Sequence, residues 1–360
     1  MFTQSSSALP RFALMTGTKC GSCHVNPTGG LMRNEFGVGY SMEKLPLAAL
    51  KDSEFTFSSK LTDNISIGGD YRSQFIYDGG TRTTSFQAMT TTIYGSIMLN
   101  KKITFFFKQD IVNSTYGSLG GPEVYGIAKV IPGWYIKGGD FLPNYGWRLD
   151  DHTSYVRGGD LGFIKSLGVR PGLLFIPDYK DIGVEIGGTI EGLFVTAGIF
   201  NGTGNTDQIK FSKNKAYAVK TEYMGSISDV NFRIGASGYG FNAFSMGGFT
   251  AGIGTGDIVI LGEVDWTKNY NVDPVNNPGG YSMAAYGEID VRAIQGLWLI
   301  GKYDMFDAIQ GASNDEISRI TLGIECFPLS FVEIRPQYRI NMETPSVSND
   351  QALVQMHLWF

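Results

Sequence analysis

The chain of 360 residues has little cysteine, proline or histidine and no long apolar run, and each shortage narrows what it can be. Three cysteines cannot form a disulfide framework, and Cys326 lies about 300 residues from Cys20 and Cys23, so disulfide stapling is not what holds the fold. No stretch reaches the roughly 18 apolar residues that a membrane-crossing helix needs, which excludes a helical membrane protein. Lysine and arginine are scattered and the net charge is only −5, so no electrostatic footprint for nucleic acid exists. With three histidines in all, His24, His152 and His357, a structural zinc cluster has too few ligands.

What is abundant is glycine, 48 residues, together with 13% aromatics. From about residue 64 the text becomes a series of segments near ten residues long in which apolar and polar side chains alternate, separated by Gly, Asn, Asp, Ser and Pro. In AYAVKTEYM, Tyr217, Val219 and Tyr223 share one face while Lys220 and Glu222 share the other. In DIVILGEVDW, Ile258, Ile260, Val264 and Trp266 oppose Glu263 and Asp265; later, Val332, Ile334, Tyr338 and Ile340 oppose Glu333, Arg335, Gln337 and Arg339. A soluble sandwich would keep its strands near five or six residues. These are longer and carry charge on one face throughout, as expected of a barrel with lipid outside and a water-filled interior.

Tight connections such as Asn100-Lys101, Pro132-Gly133 and Ser226 to Asp229 alternate with long polar ones such as NSTYGSLGGPE and NYNVDPVNNPGG. That rhythm predicts short periplasmic turns and long outer loops. The count is 16 strands, with residues 142 to about 180 forming one long connection between the fifth and sixth; it becomes 18 should EFTFSSKL or part of that connection pair into the sheet. Ala352, Val354, Met356, Leu358 and Phe360 fall on one face of the final segment, which resembles the C-terminal assembly signal of bacterial outer-membrane proteins. The expected organisation is therefore all-β: a loop-rich module over 1–52 and an outer-membrane antiparallel barrel over 53–360.

The module carries the chemistry. Cys20, Cys23 and His24 form CGSCH, two thiols spaced to add across the vinyl groups of a haem, followed by an imidazole able to ligate the iron. A thioredoxin-like redox pair would want a βαβ context, which this stretch lacks. The cofactor expected is one covalent haem c. Covalent attachment implies export, so a leader is expected ahead of this chain. For the sixth ligand, His152 in the long connection is one candidate, weighed against a loop histidine bonded to Asp150 or Asp151, and Met32 is the local runner-up. His357 reads as a lumen-lining residue near the periplasmic end. Arg11, with Lys19 and Arg33, flanks the element and is expected near the haem propionates.

The order PRFALMTGTKCGSCHVNPTGG followed by such a barrel resembles the fused monohaem cytochrome-porins, the outer-membrane iron-oxidising cytochromes among them. That resemblance implies an N-terminal haem module plugging a barrel of about 16 strands. It also implies electrons passing from extracellular Fe(II) to a periplasmic c-type cytochrome. The stretch GGDFLPNYGWRLDDHTSYVRGGDLGF looks like the middle of phosphate-selective and related porins. A diffusion porin whose haem module is a structural plug or redox gate is the alternative.

Overall fold

The computed structural model describes residues 10–50, 56–111, 122–149, 151, 153–159, 172–173, 179–202, 214–269 and 280–360. Sixteen strands form one closed antiparallel meander, each hydrogen-bonded to its sequence neighbour. The first, β1 (Ile65–Asp78), closes on the last, β16 (Gln351–Trp359), in a register that pairs Asp70 with Trp359 and Arg72 with His357. Closure leaves no sheet edge, which is the condition for a sheet to stand in lipid. No helix among the described residues is long and apolar enough to cross a membrane; the strands do the crossing.

The long connection runs from the end of β5 (Trp134–Phe141) to the start of β6 (Asp181–Ile190), as the alternation predicts. The count is 16 rather than 18. Within EFTFSSKL, residues 54 and 55 lie outside the described residues, and the rest contributes only an isolated bridge from Lys60 to Ser66.

Period-two patterning maps onto the wall directly. On β8 (Ala216–Ile227), Tyr217, Val219 and Tyr223 are exposed to the outside, whereas Lys220 and Glu222 are buried within. On β16, Val354, Met356, Leu358 and the following Phe360 form the outward stripe. Sulfur of Cys326 belongs to the same kind of face, in line with the exposed Leu322 and Ile324 of β14 (Glu316–Cys326).

Part of the inward face is covered, because two segments enter the lumen. Helix α1 (Pro10–Thr16) lies against β9 (Val230–Phe241), β10 (Phe244–Thr255) and β11 (Ile258–Lys268). The described residues at the start of the β5–β6 connection fold inward, where a 3-10 turn at Tyr155–Arg157 meets β11, β12 (Tyr281–Ile294) and β13 (Leu297–Asp307). Buried inward ions are paired: Lys137 with Glu185 at 2.8 Å, Arg157 with Glu263 at 2.7 Å, and Lys302 with Asp151 at 3.4 Å. A charge taken out of water persists only when paired in this way.

Glycine makes room for the plug. A Cβ on Gly252 would lie 2.6 Å from Leu14 Cδ1, and one on Gly254 would lie 2.8 Å from the Leu14 carbonyl carbon. Both belong to β10, so the glycine content of the wall there is a seat for α1. Replacing Gly252 by valine should weaken the seating by about 1–3 kcal/mol. The check is protease protection of the N-terminal segment, expected to fall while the barrel itself stays resistant.

Leu14 and Met32 of the module pack in one cluster with Phe106, Tyr125, Phe141 and Tyr155. A second cluster joins Phe12, Val38 and Leu45 to Trp298, Phe327 and Trp359. The module's apolar side chains therefore share their cores with the barrel. At the short-turn end, the Leu47 amide donates to the Phe327 carbonyl at 2.9 Å and the Gln295 side chain donates to the Pro46 carbonyl at 3.0 Å. The plug is thus tied to this rim by the turns that follow β12 and β14.

Candidate functional site

The CGSCH stretch is shaped by backbone bonds. Residues Cys20–Ser22 make one 3-10 turn, and the amides of Cys23 and His24 both donate to the Cys20 carbonyl at 3.2 Å. The following NPTGG folds back on it: Asn26 Oδ1 accepts from the Thr28 amide at 3.3 Å, and Gly29 takes φ +85°. A Cβ on Gly29 would meet Cys20 Cβ at 2.8 Å, so glycine is required there for both reasons. Asn34 then starts α2 (Glu35–Glu43): its Oδ1 accepts from the Gly37 amide at 3.0 Å, and its Nδ2 donates to the Ser22 carbonyl at 2.8 Å. One side chain caps the helix and pins the cysteine turn.

These contacts hold His24 in a fixed attitude. Its ring is buried, with Nδ1 3.3 Å from the Met32 carbonyl oxygen. Since a carbonyl can only accept, Nδ1 carries the proton and Nε2 keeps its lone pair. Burial, reinforced by the nearby Arg33 charge, pushes the imidazole pKa down to about 3, so the ring is neutral. Nε2 itself is buried and has no hydrogen-bond partner among the described residues.

Cys23 and His24 line a cavity of about 220 Å³ between the module and the barrel wall. Opposite the module the wall supplies Tyr94 from β2 (Thr83–Asn100), Asp70 and Arg72 from β1, and His357 and Trp359 from β16. Arg33 and Arg148 also face it. Neither arginine forms an ion pair with another described residue. Arg33 stacks over Trp359 at 4.9 Å, and Arg148 donates to Thr28 Oγ1 at 3.2 Å while its Nε is buried without a partner. Burial pulls the Arg148 guanidinium below its ordinary pKa.

The residues present fit a haem c. A neutral imidazole with an unpartnered Nε2, a thiol beside it, aromatic walls and two cations without carboxylate partners are the donor set that an iron tetrapyrrole with two propionates calls for. Cys20 is brought to the same turn, but its sulfur faces Arg233 at 3.7 Å rather than the cavity.

Other expected site residues are placed elsewhere. Arg11 does not reach this cavity. It is buried on the far side of α1, paired with Glu325 and 3.7 Å from Asp290, because those inward carboxylates of β14 and β12 have no nearer cation on α1. Met32 contributes its carbonyl to His24, while its side chain packs in the core cluster and not on the cavity wall. His152 lies outside the described residues; its neighbours Asp151 and Thr153 face Lys302, Arg339 and Arg319 of the wall. The residues that sequence reasoning passed over are Arg148, Tyr94 and Trp359. Only the inward parity of Tyr94 and Trp359 on their strands pointed to them.

Solved structures share the architecture. OmpT of Vibrio cholerae superposes with a TM-score of 0.58 at 10% identity, covering 84% of this chain and 100% of its own. The channel DcaP of Acinetobacter baumannii gives 0.56 at 11% identity, covering 84% and 99%. The chain has the bacterial outer-membrane porin fold. OmpF of Salmonella typhi, solved with daunomycin, gives 0.57 at 12% identity, covering 82% and 98%. At such identities the likeness concerns the fold alone. No family model and no curated protein matches the sequence. As a porin-fold barrel the chain has a lipid bilayer around its exposed Ile, Leu, Val and Tyr band.

Proposed function

We propose that this barrel carries electrons across the outer membrane through one haem c bound covalently by Cys20 and Cys23 and ligated by His24. The observation that carries the reading is the buried His24 imidazole, tied at Nδ1 to the Met32 carbonyl and unpartnered at Nε2 on the wall of a lumen cavity. When bound, the haem supplies a one-electron ferric/ferrous couple. The chain's own residues hold and insulate it: Trp359 and Tyr94 exclude water, and Arg33 and Arg148 face the cavity with positive charge.

Arg157, on the inward-folded connection, pairs with Glu263 of the wall and takes up part of the lumen. With an apolar band only about 25 Å tall, a cofactor held in the lumen stands near both surfaces. Extracellular Fe(II) is the donor the family resemblance implies, and a periplasmic c-type cytochrome is the acceptor; the enzymatic description would be an Fe(II) oxidoreductase.

The test is the purified protein in liposomes with an electron acceptor sealed inside and Fe(II) added outside. Haem reduction followed by reduction of the enclosed acceptor is expected; solute flux with a haem that Fe(II) leaves oxidised would sink the conduit. That second outcome would favour a diffusion porin with the haem module as plug or redox gate, a reading that the likeness to solved porins supports.

A further inference from the structure

The module leaves part of the lumen open. Between it and the wall formed by β1, β2, β3 (Ile103–Asp110) and β4 (Glu123–Ile131) lies a cleft of about 920 Å³, bounded at one end by the short connections after β2 and β4. His24 and Arg33, backbone partners in an isolated antiparallel bridge, line both this cleft and the cavity described above. The cleft therefore leads from the short-turn end to the CGSCH turn. In barrels of this kind the short turns face the periplasm.

The wall of the cleft offers the neutral hydroxyls of Ser66, Ser96 and Thr104, and its mouth offers cations. Lys102 and Lys129 are exposed there side by side, the Lys129 amide donating to the Lys102 carbonyl at 2.7 Å in continuation of the β3–β4 ladder. Like charges set opposite one another across a ladder repel. Neither lysine pairs with a carboxylate among the described residues, and the exposed Lys101 stands beside them. Lys60 is taken by Glu35 at 2.5 Å, which leaves Asp63 as the one other carboxylate among the described lining residues. Further round the same rim the sign reverses, with Glu191 and Asp229 exposed on the turns after β6 and β8. The unpaired cations are gathered where the cleft opens.

We propose that this mouth is the docking face for the soluble electron acceptor, an oxidised one-electron redox protein that meets Lys101, Lys102 and Lys129 with acidic side chains set around its own redox centre. The assignment rests on the haem reading above: one electron leaves the ferrous haem, which becomes ferric, and reduces the docked protein. Two physical reasons favour it. The cleft brings a partner to the side of the module that carries His24. Complementary charge steers the encounter and offsets the repulsion between the two neighbouring lysines. Phe36 of α2, exposed at the same mouth, supplies an apolar contact.

The test uses the full chain purified from cells that attach haem c, with its haem reduced and excess reductant removed. Stopped flow mixes it with two oxidised soluble proteins of opposite charge, an acidic plastocyanin and a basic mitochondrial cytochrome c. Plastocyanin should be reduced faster, at a rate that falls as salt is raised. The double variant Lys102→Glu, Lys129→Glu should slow plastocyanin about tenfold at low salt and quicken cytochrome c, with the haem spectrum unchanged. Lys44→Glu, at an exposed position on the end of α2 outside the cleft, should leave both rates within about twofold. The assignment is overturned if plastocyanin is reduced no faster than cytochrome c, or if the double variant leaves the rates unchanged or slows both proteins alike. An equal effect from Lys44→Glu also overturns it, since net charge alone would then explain the rates. A wild type without covalent haem is recognised by pyridine haemochrome before any rate is measured, and that failure removes the haem reading instead.

Discussion

Replacing Arg11 by alanine is expected to undock the plug and turn a closed barrel into a conducting one. Arg11 sits on α1 inside the lumen, paired with Glu325 and close to Asp290, neither carboxylate reaching water. Both Asp290 oxygens lack any other hydrogen-bond partner among the described residues, and Glu325 would keep only Arg335, at 2.5 Å. Removing one member of a buried ion pair typically costs about 3–5 kcal/mol. At about 1.4 kcal/mol per tenfold, that weakens docking by roughly 100- to 4,000-fold. Planar-bilayer recordings check this: frequent large openings are expected in the variant and few in the wild type. Equal conductance in the two would mean that Arg11 does not hold the plug.

The second large effect concerns the thiols. Substituting alanine at both Cys20 and Cys23 should abolish covalent haem and bring transmembrane electron transfer to background, while the barrel still assembles. The expectation follows from placement: Cys20 and Cys23 stand in the module, and no strand of the wall contains either. Loss of haem with a normally folded barrel is read from pyridine haemochrome alongside heat-modifiable migration on gels. Electron transfer that survived the double substitution would require a different carrier.

Much of the wall was legible because a strand's period of two is a local property. Tyr217, Val219 and Tyr223 declare their face within seven residues, and their partners Lys220 and Glu222 declare the other. The length and position of the β5–β6 connection followed from the same pattern. What fills the lumen could not be read that way. Arg11 and Glu325 are separated by 314 positions, and nothing local to PRFALMT says which inward carboxylates stand opposite α1 once the barrel closes. Proximity to CGSCH in sequence suggested a haem contact for Arg11, but a helix carries its side chains around all sides, and Arg11 emerges on the one facing β12 and β14.

The site divides along the same line. Cys20, Cys23 and His24 were legible as a cluster because they are neighbours in sequence, and the turn that presents them is built from the adjoining NPTGG and Asn34. Arg148, Tyr94, His357 and Trp359 reach the cavity only through closure of the barrel and the inward fold of a long connection. Each is an unremarkable inward residue until register is known. Which inward faces meet an inserted segment could not be read either, since charged inward faces look alike whether water or an inserted segment lies against them.

The central claim, that the CGSCH element of a porin-fold barrel carries a haem c, is most directly tested by the intact mass of the purified chain from cells competent to attach haem c. The account predicts a single species heavier than the polypeptide by one haem, shifting to the bare polypeptide mass when Cys20 and Cys23 are both alanine. A wild-type chain at the bare polypeptide mass, correctly folded in the same cells, would contradict it.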